Sequence, residues 1–300
     1  MTEAVEVSGL TKVYRNGTKA LDGVDLTAGK GQLLTVIGKN GAGKTTLIRI
    51  LTTQLMPTSG SARILGVDVV SSPEEVRRHV ALVPQDAQTN QSMTPWDYVY
   101  YLTMLEGISS TEAKTRSREA LDLVGLDGLA RKPCYALSGG EKRRAIVAAA
   151  MASQAEVLFL DEPTTGLDPV IRRQIWGLFR TMVERGQTII LTTHLMEEAE
   201  FVSDKLSIIS QGSIVATGTP TEIRSMLKAK ARIVIGGNHS SDFSSYGELV
   251  RLGDRQILYL DDPHHANEVV TSALSSGFSA EVSPITLEDV IYRLLGGQFE

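Results

Sequence analysis

A glycine-rich octapeptide between an apolar run and a helical segment constrains this chain more than any other feature of its sequence. The octapeptide, which Thr46 follows, reads Gly38-Lys39-Asn40-Gly41-Ala42-Gly43-Lys44-Thr45. Residues 32–37 before it are typical of a buried strand, and residues 47–51 after it have helical periodicity. This order matches the P-loop pattern, in which backbone amides and a helix N-terminus surround an anion. We therefore expect Lys44 to bridge the β- and γ-phosphates of a nucleotide and Thr45 to bind Mg²⁺.

A second apolar strand, further along the chain, ends in two acidic residues. Val157-Leu158-Phe159-Leu160 leads directly into Asp161 and Glu162. Ligands of open α/β sheets bind at the carboxyl ends of the strands. We expect Asp161 to hold Mg²⁺ through a water and Glu162 to polarise the water that attacks the phosphate. A strand followed by acids is common by itself, but downstream of a P-loop it indicates nucleotide hydrolysis.

A serine and two glycines precede the helical segment 142–152. The motif is Leu137-Ser138-Gly139-Gly140-Glu141. Such a motif is most often a helix cap, but it can also bind an anion through backbone amides and a hydroxyl. One nucleotide does not need two such loops on one chain. Two chains could each complete the other's site, so the motif favours a dimer.

The distribution of strands and helices predicts an α/β fold with two domains. The core is a P-loop NTPase domain over 1–228, with a mostly parallel sheet between flanking helices. Residues 5–27 predict antiparallel strands, and about 94–153 predict a helical subdomain. Residues 229–300 predict a small C-terminal α+β domain. Its predicted elements are a strand at 231–235, a hairpin of 248–252 and 256–260 around Gly253-Asp254, a helix at 267–274, a strand at 278–282, and a helix at 287–295 with a Thr286–Asp289 capping box.

Composition excludes several classes of protein. The 30 basic and 35 acidic residues give a formal charge of −5, so we expect no nucleic-acid partner. A single cysteine, Cys134, allows no internal disulfide. The longest apolar run, 145–152, falls far short of the roughly 20 residues that cross a bilayer. Since residues 1–6 also lack an apolar core, we expect neither membrane insertion nor a secretory signal.

The combination of motifs resembles the ATP-binding subunits of ABC transporters. In that family residues 38–45 match Walker A, 137–141 the signature motif and 157–162 Walker B. The motifs follow the family's order, and the resemblance covers about 5–228. Glu141 stands where the family most often has glutamine.

The resemblance assigns roles to four further residues. Gln85 matches the Q-loop glutamine that contacts Mg²⁺ and water, and Asp168 matches the D-loop aspartate. His194 matches the switch histidine that contacts the γ-phosphate, and Tyr14 stands where an aromatic ring stacks on adenine. From the residues alone, Tyr14 could be a core tyrosine, Gln85 a polar loop residue, His194 a structural histidine and Asp168 only a helix cap.

The resemblance implies an Mg²⁺-dependent ATPase that works as a dimer, with Ser138 and Gly140 acting on the partner chain's ATP. The layout and the ending Thr286-Leu287-Glu288-Asp289-Val290 are similar to ABC-2-type exporters, including daunorubicin-type drug-resistance ATPases. The implied partner is a separate integral-membrane permease, which would place the chain peripherally at the cytoplasmic face of the cell membrane. One alternative is a soluble ABC ATPase acting on a protein or nucleic-acid machine. Another is a non-hydrolysing nucleotide-gated subunit.

Two clusters are not explained by the motifs. Four aromatic residues, Trp96, Tyr98, Tyr100 and Tyr101, follow the Gln85 loop. We expect at least half of them in the helical core and the remainder on a partner surface. The basic run 142–144 is expected to form a solvated face that adds positive potential near the phosphates.

Overall fold

The computed structural model of the protein describes residues 3–85, 88–153, 155–237, 243–252 and 255–294. Its strands are β1 (Glu3–Val13), β2 (Lys19–Gly29), β3 (Leu33–Ile37), β4 (Ser59–Ile64), β5 (Val67–Asp68), β6 (Val80–Val83), β7 (Val157–Asp161), β8 (Thr188–Thr193), β9 (Lys205–Ser210), β10 (Ser213–Gly218), β11 (Ala231–Gly236), β12 (Glu248–Leu252), β13 (Arg255–Leu260) and β14 (Ser279–Ser283). Its α-helices are α1 (Lys44–Leu51), α2 (Pro73–His79), α3 (Pro95–Leu105), α4 (Ser110–Leu123), α5 (Gly139–Ala152), α6 (Pro169–Glu184), α7 (Met196–Val202), α8 (Pro220–Ser225), α9 (Ala266–Ser275) and α10 (Leu287–Leu294).

The chain divides into two compact units, 1–219 and 220–300. The sequence placed the boundary after residue 228 instead. Helix α8 accounts for the difference, because it packs against α10 of the second unit.

A six-stranded sheet forms the centre of the first unit. Its strand order is β10-β9-β3-β8-β7-β6, and all neighbours are parallel except β10 and β9. Successive residues of a strand face opposite sides. On β3, Leu34 belongs to the core cluster that contains Leu47 of α1, whereas Leu33 belongs to the cluster that contains Trp176 of α6. Apolar side chains on both faces explain why these strands lack a polar alternation. The predicted sheet with flanking helices is confirmed.

An antiparallel sheet and a group of helices complete the first unit. The sheet has the order β2-β1-β4-β5. The sequence predicts its antiparallel strands β1 and β2 but not β4 and β5. Helices α3, α4 and α5 pack on one another, and small side chains such as Ala145, Ala148 and Ala149 of α5 lie in their shared core. None of the helices in the described ranges is both long and apolar enough to cross a membrane.

The second unit is a four-stranded antiparallel sheet with helices. Its strand order is β12-β13-β11-β14, and α9 packs against β11 and β14. Strands and helices lie within a residue or two of the predicted positions. Thr286 and Asp289 form the predicted capping box, in which the Asp289 carboxylate accepts the Thr286 N–H at 2.7 Å. The hairpin turn 253–254 and Leu295 lie outside the described residues.

Candidate functional site

The glycine loop lies between the end of β3 and the start of α1. Gly43 has φ 111°, and a Cβ there would stand 2.5 Å from the carbonyl oxygen of Ala20, so only glycine fits. Lys44 Nζ donates to the carbonyl oxygens of Gly38 at 2.6 Å and Lys39 at 3.1 Å. The loop opens on a cavity of about 250 Å³ lined by Ala20, Asn40, Gly41, Gly43, Lys44, Thr45, Thr46, Gln85 and Glu162.

A larger cavity does not mark the site. It has a volume of about 700 Å³ and lies along β1 and β2. Its described lining mixes acidic and basic side chains and contains no glycine loop. The phosphate-binding loop therefore belongs to the smaller cavity.

The two acidic residues at the end of β7, Asp161 in the strand and Glu162 directly after it, are both buried. Asp161 Oδ1 accepts the hydroxyl of Thr192 at 2.5 Å, which fixes this carboxylate against β8. Glu162 has φ 48°, a left-handed conformation that costs about 1–2 kcal/mol for a residue with a Cβ. Its N–H donates to the carbonyl oxygen of Thr192 at 3.0 Å. The chain therefore turns sharply here, and the Glu162 side chain lines the cavity.

The Glu162 carboxylate is the point at which the predicted site residues meet. Lys44 Nζ lies 3.3 Å from Oε1, and both side chains are about 95% buried, at 5% and 4% exposure. Oε2 lies 3.1 Å from His194 Nδ1 and 3.4 Å from Gln85 Nε2. The hydroxyl of Thr165, which the sequence did not single out, donates to Oε2 at 3.3 Å. Lys44, Gln85, Glu162 and His194 thus form one cluster at the mouth of the glycine loop.

Tyr14 lies beside this loop and is partly buried. Its hydroxyl forms a hydrogen bond of 3.1 Å with the hydroxyl of Thr46 on α1. The ammonium group of Lys12 lies 5.6 Å from the centre of the ring. The stacking of adenine on this ring stays a prediction.

The signature motif and Asp168 occupy helix N-termini. Ser138 caps α5, and the Glu141 carboxylate accepts the Ser138 N–H at 2.7 Å. The backbone N–H and hydroxyl of Ser138 hold the pKa of Glu141 below its ordinary value. Residues 138–141 are absent from the described lining of the glycine-loop cavity. Asp168 caps α6 by accepting the N–H groups of Val170 and Ile171. The sequence analysis gave this capping role as the alternative to a D-loop role.

Two buried charged residues near the site were missed or misjudged from the sequence. The expectation of a solvated basic face at 142–144 is wrong for Arg143, which is 9% exposed and donates to the carbonyl oxygens of 84–85 and 161–163. Glu198 of α7 is fully buried and accepts the Thr164 hydroxyl at 2.7 Å. No pattern in the neighbouring sequence shows that Arg143 and Glu198 are buried while the charged residues beside them are more exposed.

Comparison with known proteins decides the family. Residues 21–165 match the family model described as "ABC transporter". The daunorubicin/doxorubicin resistance ATP-binding protein DrrA of Streptomyces peucetius is 42% identical over 75% of this chain and 68% of its own. The Nod factor export ATP-binding protein I of Mesorhizobium japonicum is 32% identical over 100% of this chain and 88% of its own.

The chain belongs to the ATP-binding proteins of the ABC transporter family. Like them, it is an ABC-type ATPase. Its fold is similar to that of cbiO1 from Clostridium perfringens, part of the ABC transporter complex cbiONQ, with a TM-score of 0.68 and 28% identity over 75% of this chain and 92% of that one. It is also similar to the dimeric ATP-binding cassette MJ0796 bound to ADP and Pi, with a TM-score of 0.66 and 25% identity over 72% and 98% of the two chains. The relatives fit a transporter subunit and not the alternative of a non-transport ATPase.

Proposed function

We propose that this chain is the ATP-hydrolysing subunit of an exporter whose membrane-spanning part is a separate permease. The names of the relatives support this proposal, since they describe ATP-binding proteins of export and drug-resistance systems. The observation that carries the hydrolytic role is the buried Glu162 carboxylate in contact with Lys44 at the glycine loop. A carboxylate so placed can accept a proton from water beside a bound phosphate.

Each residue of the cluster has a role in the proposed reaction. Lys44 would bind the β- and γ-phosphate oxygens, and Glu162 would accept the proton of the attacking water. His194 would contact the γ-phosphate through the imidazole that now contacts Glu162. Tyr14 would stack on the adenine, and the backbone of residues 38–46 would surround the phosphates.

The residues at this edge of the sheet also fit a magnesium ion. Thr45 and Gln85 line the cavity, and Asp161 ends β7, which pairs with β6, the strand before Gln85. All three residues offer the oxygen donors that Mg²⁺ prefers. The ion would neutralise the negative charge of the phosphates. Thr45, Gln85 and Asp161 would hold it.

The position of the signature motif favours a dimer. Ser138 and Gly139 are exposed at the N-terminus of α5, and residues 138–141 do not line the described part of this chain's own cavity. In the proposed dimer, residues 138–141 would bind the nucleotide of the partner chain, and Asp168 would lie at the contact between the subunits. The solved structure of the cassette MJ0796 is dimeric and bound to ADP and Pi, which supports the proposal of a dimer.

The role of Glu162 is tested with Glu162→Gln. We expect ATP hydrolysis to fall about 100-fold or more, because the amide cannot accept a proton. We also expect ATP, but not ADP, to produce a stable dimer in light-scattering measurements. Glu184→Gln, at an exposed residue of α6, is the matched control. Hydrolysis by Glu162→Gln at the parental rate would show that another group activates the water.

The exporter role is tested by purification of the chain from its native membranes. We expect an integral-membrane protein to copurify, and mass spectrometry identifies it. Recovery of the chain from the soluble fraction alone, without a permease, would contradict the transporter assignment while leaving the ATPase assignment intact.

A further inference from the structure

Arg143 of α5 is buried among backbone carbonyl groups. Its Nε donates to Pro163 O at 2.7 Å, and its Nη2 donates to Glu162 O at 2.9 Å and Asp161 O at 3.3 Å. Its Nη1 donates to Pro84 O at 3.2 Å and Gln85 O at 3.3 Å. One guanidinium group therefore joins three chain segments: α5, the turn after β7 and the loop after β6.

The two sets of carbonyl groups belong to the residues whose side chains form the site. The first set flanks Glu162, whose left-handed backbone needs support from its surroundings. The second set includes Gln85, whose side chain lies 3.4 Å from the Glu162 carboxylate. Because the guanidinium group is planar and rigid, it fixes the distance between the two backbones.

We propose that Arg143 is a positioning residue for hydrolysis, which holds the backbone of Glu162 and the backbone of Gln85 in one fixed arrangement. The proposal rests on the role proposed above for Glu162. It gives Arg143 no contact with nucleotide and assigns its effect to the placement of the two side chains. Since displacements of about 1 Å at a reacting group can cost about 100-fold in rate, such a residue affects turnover more than nucleotide binding.

The adjacent residue offers a matched control. Arg144 donates to the carbonyl oxygens of Val124 at 2.8 Å and Gly125 at 3.2 Å. It therefore supports the end of α4 within the helical subdomain, and neither of these two carbonyl groups belongs to a residue that lines the glycine-loop cavity. Arg143→Gln and Arg144→Gln remove the same charge one residue apart on one helix.

The test uses the full chain and compares kcat, KM for ATP and the Kd of ATP measured with EDTA. For Arg143→Gln we expect kcat to fall about 10- to 100-fold while KM and Kd change less than about threefold. Arg143→Lys should recover part of the loss, because lysine keeps the charge but cannot span both sets of carbonyl groups. Arg144→Gln leaves Arg143 in place between the backbones of Glu162 and Gln85, so it should lower kcat much less than Arg143→Gln does.

Two further comparisons make the proposal falsifiable. If Arg143 acts only by placing Glu162 and Gln85, adding Arg143→Gln to the double variant Gln85→Ala/Glu162→Gln should not slow single turnover further. A multiplicative loss, or a loss of ATP affinity equal to the loss in kcat, would overturn the proposal. If Arg143→Gln does not fold, a folded Arg143→Lys with parental kcat overturns it. An active Glu162→Gln would instead refute the role proposed for Glu162, so the two failures are distinguishable.

Discussion

Among single residues, Glu198 is a buried acid that has no role in the proposed reaction. Its Oε1 accepts the hydroxyl of Thr164 at 2.7 Å and the indole N–H of Trp176 at 2.8 Å. Burial raises the pKa of Glu198 above its ordinary value, and these hydrogen bonds oppose the shift only in part. Thr164 follows the turn that contains Glu162, so the carboxyl group connects that turn to α6 and α7.

The raised pKa predicts a specific dependence of stability on pH. The folded chain binds the Glu198 proton more tightly than the unfolded chain. The stabilisation is therefore complete below the ordinary glutamate pKa of 4.5 and is lost as the pH rises through the raised pKa of Glu198. Glu198→Gln removes this dependence, so the variant should gain stability relative to the parent as the pH rises.

Urea unfolding followed by tryptophan fluorescence measures this effect. Both tryptophans of the chain, Trp96 and Trp176, lie in the first unit, so the signal reports that unit. Glu197→Gln is the control, because Glu197 is the exposed neighbour on the same helix. A difference between parent and Glu198→Gln that stays constant with pH would show that Glu198 titrates normally.

At the scale of secondary structure, the sequence predicts correctly those strands and helices that are marked by a pattern within their own few residues. The strands before Gly38 and Asp161 are continuous apolar runs, and the last helix carries its own capping box. No local pattern predicts that Gln85 and His194 contact Glu162, because the two residues lie 77 and 32 positions from it in the sequence. Only the resemblance to a family could predict it. Burial of Arg143 depends on carbonyl groups from two distant loops, so the basic run itself indicated a solvated face.

The last helix also shows what tertiary packing adds to a local motif. The capping-box residue Asp289 accepts bonds from Arg232 of β11 and from the hydroxyl of Tyr259 of β13. Burial alone raises the pKa of Asp289, but the N–H of Thr286 and the hydroxyls of Tyr259 and Thr286, together with Arg232, outweigh it and hold that pKa below its ordinary value. The contribution to stability is thus present above the ordinary aspartate pKa and lost as the pH falls through the lowered value.

Asp289→Asn should destabilise the second unit by about 3 kcal/mol, because it leaves the Arg232 charge without its buried partner. Hydrogen exchange of the full chain, read by mass spectrometry on peptides from β11 and α10, measures the effect. Glu288→Gln, one residue earlier and exposed, is the control. Unchanged protection of β11 in Asp289→Asn would show that the ion pair adds no stability.

For the molecule as a whole, the helical subdomain presents an exposed apolar face. Trp96 and Tyr98 pack with the subdomain core, in line with the expectation that at least half of the aromatic cluster lies there. Tyr101 and Leu105 of α3 are 52% and 81% exposed and lie one helical turn apart, so they share a face. Exposed apolar residues grouped in this way are typical of a surface that binds another protein.

Replacement of both Tyr101 and Leu105 by serine should weaken binding to the permease while leaving ATP hydrolysis nearly unchanged. We expect the double variant to hydrolyse ATP within about twofold of the parental rate, since exposed substitutions away from a site rarely alter folding. We also expect it to recover much less of the integral-membrane protein that copurifies with the parent. Met56→Ser is the control, because Met56 is 62% exposed elsewhere in the same unit. If the double variant recovered the membrane protein as fully as the Met56 variant, then the permease would bind another surface. Loss of folding in the double variant would place these side chains in the core instead.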